Sequence, residues 1–136
     1  AATFLEDFVK CFGDTVGYVR AQAIKAVTAC GELGQMYAAE VCRMMFDEDV
    51  RVRLAAVKAL PQMGERGAAF AEEVASLLED PEPEVRATAI KTLGAFGGEV
   101  LTEFADTIRQ YSDMDFFPEV RAAAEEVLSA PKALEE

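Results

Sequence analysis

The stretch Val85–Val100, VRATAIKTLGAFGGEV, repeats in outline the stretch Val52–Gly67, VRLAAVKALPQMGERG, and both repeat Val19–Gly34, VRAQAIKAVTACGELG. Val-Arg opens each stretch and returns once more at Val120-Arg121, so the intervals are 33, 33 and 35 residues. An Asp stands six residues before every one of these arginines, giving the pairs Asp14 and Arg20, Asp47 and Arg53, Asp80 and Arg86, and Asp115 and Arg121. A fixed period of this length signals stacked supersecondary units, none of which can bury its apolar face without a neighbour.

Each unit reads as two antiparallel helices, A then B. Taking each Val as offset zero and turning 100° per residue, offsets 0, 4, 8 and 11 fall on one face. They are Val52, Ala56, Leu60 and Met63 in one repeat and Val85, Ala89, Leu93 and Phe96 in the next. Asp80-Pro81-Glu82-Pro83-Glu84 is a stop and restart signal, since Pro suits the first helical turn and acidic residues favour its positive end. The glycines Gly31, Gly34, Gly64, Gly67, Gly94, Gly97 and Gly98 fall where the B helices must end. The pattern predicts A helices at about 2–12, 35–46, 68–79 and 99–111, and B helices at about 16–31, 49–63, 83–96 and 118–129. Phe4 and Phe8, Tyr37 and Val41, and Phe70 and Val74 occupy matching A-helix positions and are expected in the core. Pro61, inside the second B helix, should disturb its last turn.

The Ala-rich pattern with Asp-x4-Val-Arg resembles the HEAT repeat, in the short form also found in the HEAT-like repeats of phycobilin lyases. The resemblance covers essentially the whole chain and implies an all-α fold, a right-handed α-α superhelix or α-solenoid of four helix pairs. It implies one domain over 1–136, with repeats at about 1–33, 34–66, 67–98 and 99–132. It also implies that the Asp lies in the turn between helices, and that Asp and Arg form a structural ladder which caps helices and bridges adjacent repeats.

Composition narrows the function. Lys and Arg number 13 against 25 Asp and Glu, a formal charge of −12, which repels nucleic acid phosphates and anionic lipid. No apolar run approaches the roughly 18 residues of a membrane span, so direct membrane insertion is not expected. The three cysteines, Cys11, Cys30 and Cys42, are odd in number and set in apolar helical patterns, which suits buried side chains in a reducing intracellular compartment, cytoplasm or organelle interior. The chain opens Ala1-Ala2-Thr3, as expected of a processed chain, a fragment or a trimmed one. There is no histidine, which removes His-based triads and metal sites, and Gly94-Ala95-Phe96-Gly97-Gly98 lacks the Lys-Ser/Thr of a phosphate loop. Two enzymatic relatives of the resemblance are disfavoured as well: deoxyhypusine hydroxylases hold iron through His-Glu motifs, and HEAT-type DNA glycosylases need a basic groove.

What remains is a surface for binding protein. The resemblance places the B helices on the concave side, where offsets 2, 6 and 9 are expected to point away from the core. These are Ala21, Lys25 and Thr28, then Leu54, Lys58 and Pro61, then Ala87, Lys91 and Gly94, then Ala122, Glu126 and Ser129. Lys25, Lys58 and Lys91 therefore form a row at the repeat period among small residues, able to grip an extended acidic segment. The fourth repeat is two residues longer, and a lengthened turn around Tyr111, Met114, Phe116 and Phe117 is a candidate apolar contact. Neither end looks like a polar cap: Phe4, Leu5, Phe8, Val9 and Phe12 crowd the first helix, and Val127, Leu128 and Leu134 the last. The expected function is a non-catalytic protein-protein interaction module, a scaffold, assembly factor or accessory subunit, with one or more protein partners in a multi-subunit assembly and no cofactor. A phycobilin lyase-like pigment-handling or chaperone subunit is the alternative.

Overall fold

The computed structural model describes residues 2–130, and among them every regular element is helical. Leu134 lies outside the described residues. The chain divides into two compact units, Ala1–Phe70 and Ala71–Glu136.

In the first unit, α1 (Ala2–Lys10) runs through a 3-10 turn at Cys11–Gly13 towards α2 (Gly17–Ala29). A short α3 (Glu32–Gln35) leads to α4 (Ala38–Met44), and α5 (Val50–Ala59) follows. The α-helix gives way at Leu60–Met63 to a 3-10 segment containing Pro61, as a ring without a donor requires, and α6 (Gly64–Ala68) closes the unit. α1 packs on α2, α4 on α5, and the two B helices α2 and α5 lie against each other.

The second unit opens with α7 (Ala71–Ser76) and a 3-10 turn at Leu77–Glu79, followed by α8 (Pro83–Phe96), α9 (Gly98–Met114) and α10 (Pro118–Leu128). α8 packs against α7, α9 and α10, and α9 against α10.

One turn recurs throughout. Asp14, Asp80 and Asp115 are extended (ψ 147°, 141° and 139°) and end the first helix of their pair. The Asp14 carboxylate accepts from the Val16 amide (2.8 Å), Asp47 from Asp49 (2.9 Å), Asp80 from Glu82 (3.0 Å) and Asp115 from Phe117 (2.9 Å). A carboxylate bonded to an amide two residues on is the local contact that makes Asp a turn former. Pro83 and Pro118 then occupy first helical positions, where no donor is needed.

Gly31, Gly64 and Gly97, spaced at the repeat period, all take positive φ (64°, 60° and 63°) and end the B helices. Gly34 and Gly67 serve a different need. A Cβ on Gly34 would sit 2.0 Å from the Val27 carbonyl oxygen, and one on Gly67 would sit 1.9 Å from that of Leu60. This contact seats the short helices α3 and α6 on the preceding B helix, so the next A helices begin at Ala38 and Ala71 instead of near 35 and 68. Val100 stands at the matching place in the next repeat, and there α9 starts directly at Gly98 and runs unbroken.

The core follows the predicted face. Val52, Ala56, Leu60 and Met63, and Val85, Ala89 and Leu93, are buried, while Phe96 is half-buried. Each large aliphatic buried this way contributes about 1.5–3 kcal/mol. Val41 and Val74 are buried and Phe8, Tyr37 and Phe70 half-buried, but Phe4 is 71% exposed and does not join the core. Leu5, one position on, is buried instead. The lengthened turn is also corrected: the two extra residues extend α9 to Met114, and only Asp115–Phe117 separate α9 from α10.

Candidate protein-binding surface

The Arg ladder is built from geometry that the sequence spacing only partly reveals. In all four repeats the arginine Nη1 donates to the backbone carbonyl of the Asp six residues earlier, at 2.8 Å for Arg20, 2.9 Å for Arg53, 2.9 Å for Arg86 and 2.7 Å for Arg121. For Arg20 and Arg86 the carboxylate gripped belongs to a different repeat. Arg20 donates from Nε (3.0 Å) and Nη2 (2.8 Å) to Asp47, and Arg86 from Nε (2.9 Å) and Nη2 (3.1 Å) to Asp115. These are bidentate, largely buried pairs, and the planar guanidinium fork suits them.

The charges respond accordingly. Burial pushes the Asp47 carboxyl up, but the hydrogen bonds from Arg20 and from the Asp49 amide outweigh it and hold the group below the ordinary carboxylate range. Asp115 is lowered first by Arg86, against burial. Asp49, which caps α5 by accepting from the Arg51 amide (2.8 Å), is lowered to about 2 by the Arg51 side chain and then by that amide. Its carboxylate also lies over the start of α2, where a Cβ on Gly17 would meet it.

The row of lysines resolves into two grooves in matching register. Between α2 and α5, Lys25, Thr28 and Ala29 face Ala55, Lys58, Ala59 and Gln62 across a groove of about 290 Å³. Between α8 and α10, Lys91, Gly94 and Ala95 face Glu126, Val127 and Ala130 across one of about 320 Å³. The first groove thus pairs two exposed ammonium groups, whereas the second sets an exposed Lys opposite an exposed Glu. Thr28 and Gly94 are equivalent, and a Cβ on Gly94 would meet Val127 Cγ2 at 2.8 Å, so Val127 leans into the second groove. The Thr28 hydroxyl is tied to the Ile24 carbonyl (2.8 Å), leaving the first groove with small side chains beneath two cations. Chemically, that arrangement can hold carboxylates and an extended backbone.

The offset-2 positions do not belong to this surface. Ala21 and Ala87 are buried, Leu54 is half-buried and Ala122 exposed, and none of the four lines either groove. Wheel arithmetic for an isolated helix overlooked Ala29, Ala55, Ala59 and Gln62. A B helix packed on a neighbouring B helix turns its flank to the groove, so α5 with its 3-10 continuation lines it at offsets 3, 7 and 10 and α2 at offset 10, together with the expected Lys25, Lys58 and Thr28. The signal was present as the high alanine content of those flanks, which lets the helices approach.

Phe116 and Phe117 stand on the last inter-helix turn. Phe116 is 84% exposed, Met114 81%, and Phe117 38%. The two rings meet edge to face at 5.3 Å, and the Arg86 guanidinium lies 5.7 Å from the Phe117 centroid.

Among the described residues there is no group of three or more Cys, Asp or Glu placed to hold a metal ion, and no helix is long and apolar enough to cross a membrane. Paired helices, Asp-closed turns and an inter-repeat arginine ladder define an all-α helical-repeat protein. The sequence profile of HEAT repeats matches residues 44–129, and the chain belongs to the HEAT-repeat family. HEAT repeats generally mediate protein-protein interaction, and the family is typically non-catalytic. No match was found among curated proteins.

Proposed function

We propose that this chain is a non-catalytic protein-binding module, a scaffold, assembly factor or accessory subunit, that holds an acidic extended segment of its partner in the groove between α2 and α5. The observation that carries the reading is the pairing of Lys25 and Lys58 over a floor of Thr28, Ala29, Ala55 and Ala59. On a chain of net charge −12, two exposed lysines facing one groove are a local reversal of sign. Small side chains let a partner backbone come close, and the ammonium groups select carboxylates. Lys91, facing Glu126, contributes less to such a partner.

The test is calorimetric titration with a peptide of alternating Glu and Ala. Binding should weaken with salt and fall by about tenfold or more in the Lys25→Glu, Lys58→Glu double variant, against less than about threefold for Lys91→Glu. Equal affinity in the wild type and the double variant would remove the groove from the account.

A further inference from the structure

The turn Asp115–Phe117 repeats the turn Asp80–Glu82 bond for bond. In each the Asp carboxylate accepts the amide two residues on, and an Arg Nη1 donates to the carbonyls of the Asp and of the next residue: Arg86 to Asp80 and Pro81, Arg121 to Asp115 and Phe116. The corresponding surface residues are Thr15-Val16, Glu48-Asp49, Pro81-Glu82 and Phe116-Phe117. The turn geometry therefore makes no demand for aromatic rings. Phe117 occupies an N-cap position without a side-chain cap, as Val16 and Glu82 do in the first and third repeats, whereas Asp49 supplies one in the second. Giving up a cap costs helix stability, about 1 kcal/mol on average, and leaving Phe116 in water gains nothing for folding.

The rings nevertheless have partners. Phe117 lies under an Arg86 guanidinium held by Asp115 and Asp80, and Phe116 packs edge-on against Phe117. Beside them Gln110, Tyr111, Met114 and Asp115 complete a cleft of about 330 Å³ with Phe116. An apolar, exposed cleft is the form that protein-binding anchors take, because a partner side chain that enters it removes both surfaces from water.

The charge around it identifies the occupant. Asp113 and Glu119, flanking the aromatic turn in sequence, are exposed carboxylates, and Glu79 is close enough to act on the Tyr111 phenol. Of the cations at the turn, Arg86 is matched by Asp115, and Arg121 turns its Nη1 to the Asp115 and Phe116 carbonyls, so the exposed carboxylates Asp113, Glu119 and Glu79 outnumber it. We infer that the cleft lined by Tyr111, Met114 and Phe116, with Phe117 backing the Phe116 ring, is a second docking surface, for a basic partner segment that inserts one apolar side chain. It is independent of the lysine groove, which calls for the opposite charge.

The probe is a short fluorescein-labelled peptide of alternating Arg and Leu, with Arg-Ser and Glu-Leu peptides of equal length as controls, read by anisotropy at about 0.1 M salt. The Arg-Leu peptide should bind saturably and lose about tenfold or more in affinity to Phe116→Ser or Met114→Ser, and both controls should bind about tenfold more weakly. Neither variant alters net charge, so general attraction of cations to an acidic protein cannot mimic this loss. Both side chains are largely in water, and unchanged melting temperatures verify that the variants fold. Absence of Arg-Leu binding, equal binding by the variants or equal binding of the Arg-Ser peptide overturns the proposal. So does concentration-dependent dimerisation that Phe116→Ser abolishes, which would assign the cleft to a second copy of the chain.

Discussion

Arg20 reaches past its own helix pair to grip Asp47 of the next, with Nε at 3.0 Å and Nη2 at 2.8 Å, while its remaining nitrogen holds the Asp14 carbonyl at 2.8 Å. One side chain thus ties the end of α1, the start of α2 and the turn before α5. The Asp47 carboxylate serves twice in return, as salt-bridge partner and as acceptor for the Asp49 amide. Arg20→Ala and Asp47→Ala should each lower the melting temperature, and the double variant should lose much less than the sum, because both remove the same contact. Additive losses in thermal unfolding would show that the pair does not act as a unit. Arg20→Lys should also destabilise, since an ammonium group cannot make two parallel bonds.

Acid should loosen the ladder. Asp47 and Asp115 are held below their ordinary values in the folded state, and the unfolded chain takes up protons near pH 4. In that window the unfolded state binds more protons, so this stabilisation is fully present above about pH 5 and is lost as pH falls through the folded values. The melting temperature of the wild type minus that of the Asp47→Asn, Asp115→Asn variant isolates the effect from the general relief of acidic repulsion. That difference should be constant from neutrality to about pH 5 and shrink below it; a difference that grows on acidification would contradict the assignment.

Glycine substitutions should split by environment. Gly13→Ala meets nothing within 4 Å and should be neutral or stabilising, by about 0.4–1 kcal/mol at most, as a less flexible unfolded chain predicts. Gly67→Ala sets its Cβ 1.9 Å from the Leu60 carbonyl oxygen, where backbone must move, and should destabilise despite the higher helix propensity of Ala. Chemical denaturation of both variants gives the two signs directly.

Lys58→Glu should leave unfolding nearly unchanged, because the side chain is exposed, while weakening the partner complex and its salt dependence. Loss of stability comparable to that of Arg86→Ala would mean that Lys58 supports the fold instead of the groove.

Much of this was legible in the sequence because two short-range rules apply. Val, Ala and Leu at helical spacing make the buried face, and Pro with acidic residues after Asp80 marks a helix stop and restart, so Val52 to Met63 and the turn at Asp80 are readable one repeat at a time, while the turn position of the other Asp residues follows from the family resemblance. What escaped depends on neighbours. The carboxylate partner of Arg20 lies 27 residues away, beyond any local spacing. Ala21 and Ala87 are buried, although a single-helix wheel points them to solvent, because a helix packed among neighbours on several sides buries more than one face. Phe4 reads as core by pattern, yet Leu5 is buried instead. The two extra residues of the fourth repeat suggested a loop, whereas the Asp-closed turn is so well satisfied that the added length went into α9.

The most direct test of the central claim is zero-length carbodiimide crosslinking of the complex captured from native extract, with the joined residues read by mass spectrometry. The account predicts that Lys25 and Lys58 link to Asp or Glu of a single extended segment in one stoichiometric partner, and that the Lys25→Glu, Lys58→Glu variant captures it no longer. A stoichiometric partner retained by that variant, with no links from either lysine, would contradict the account.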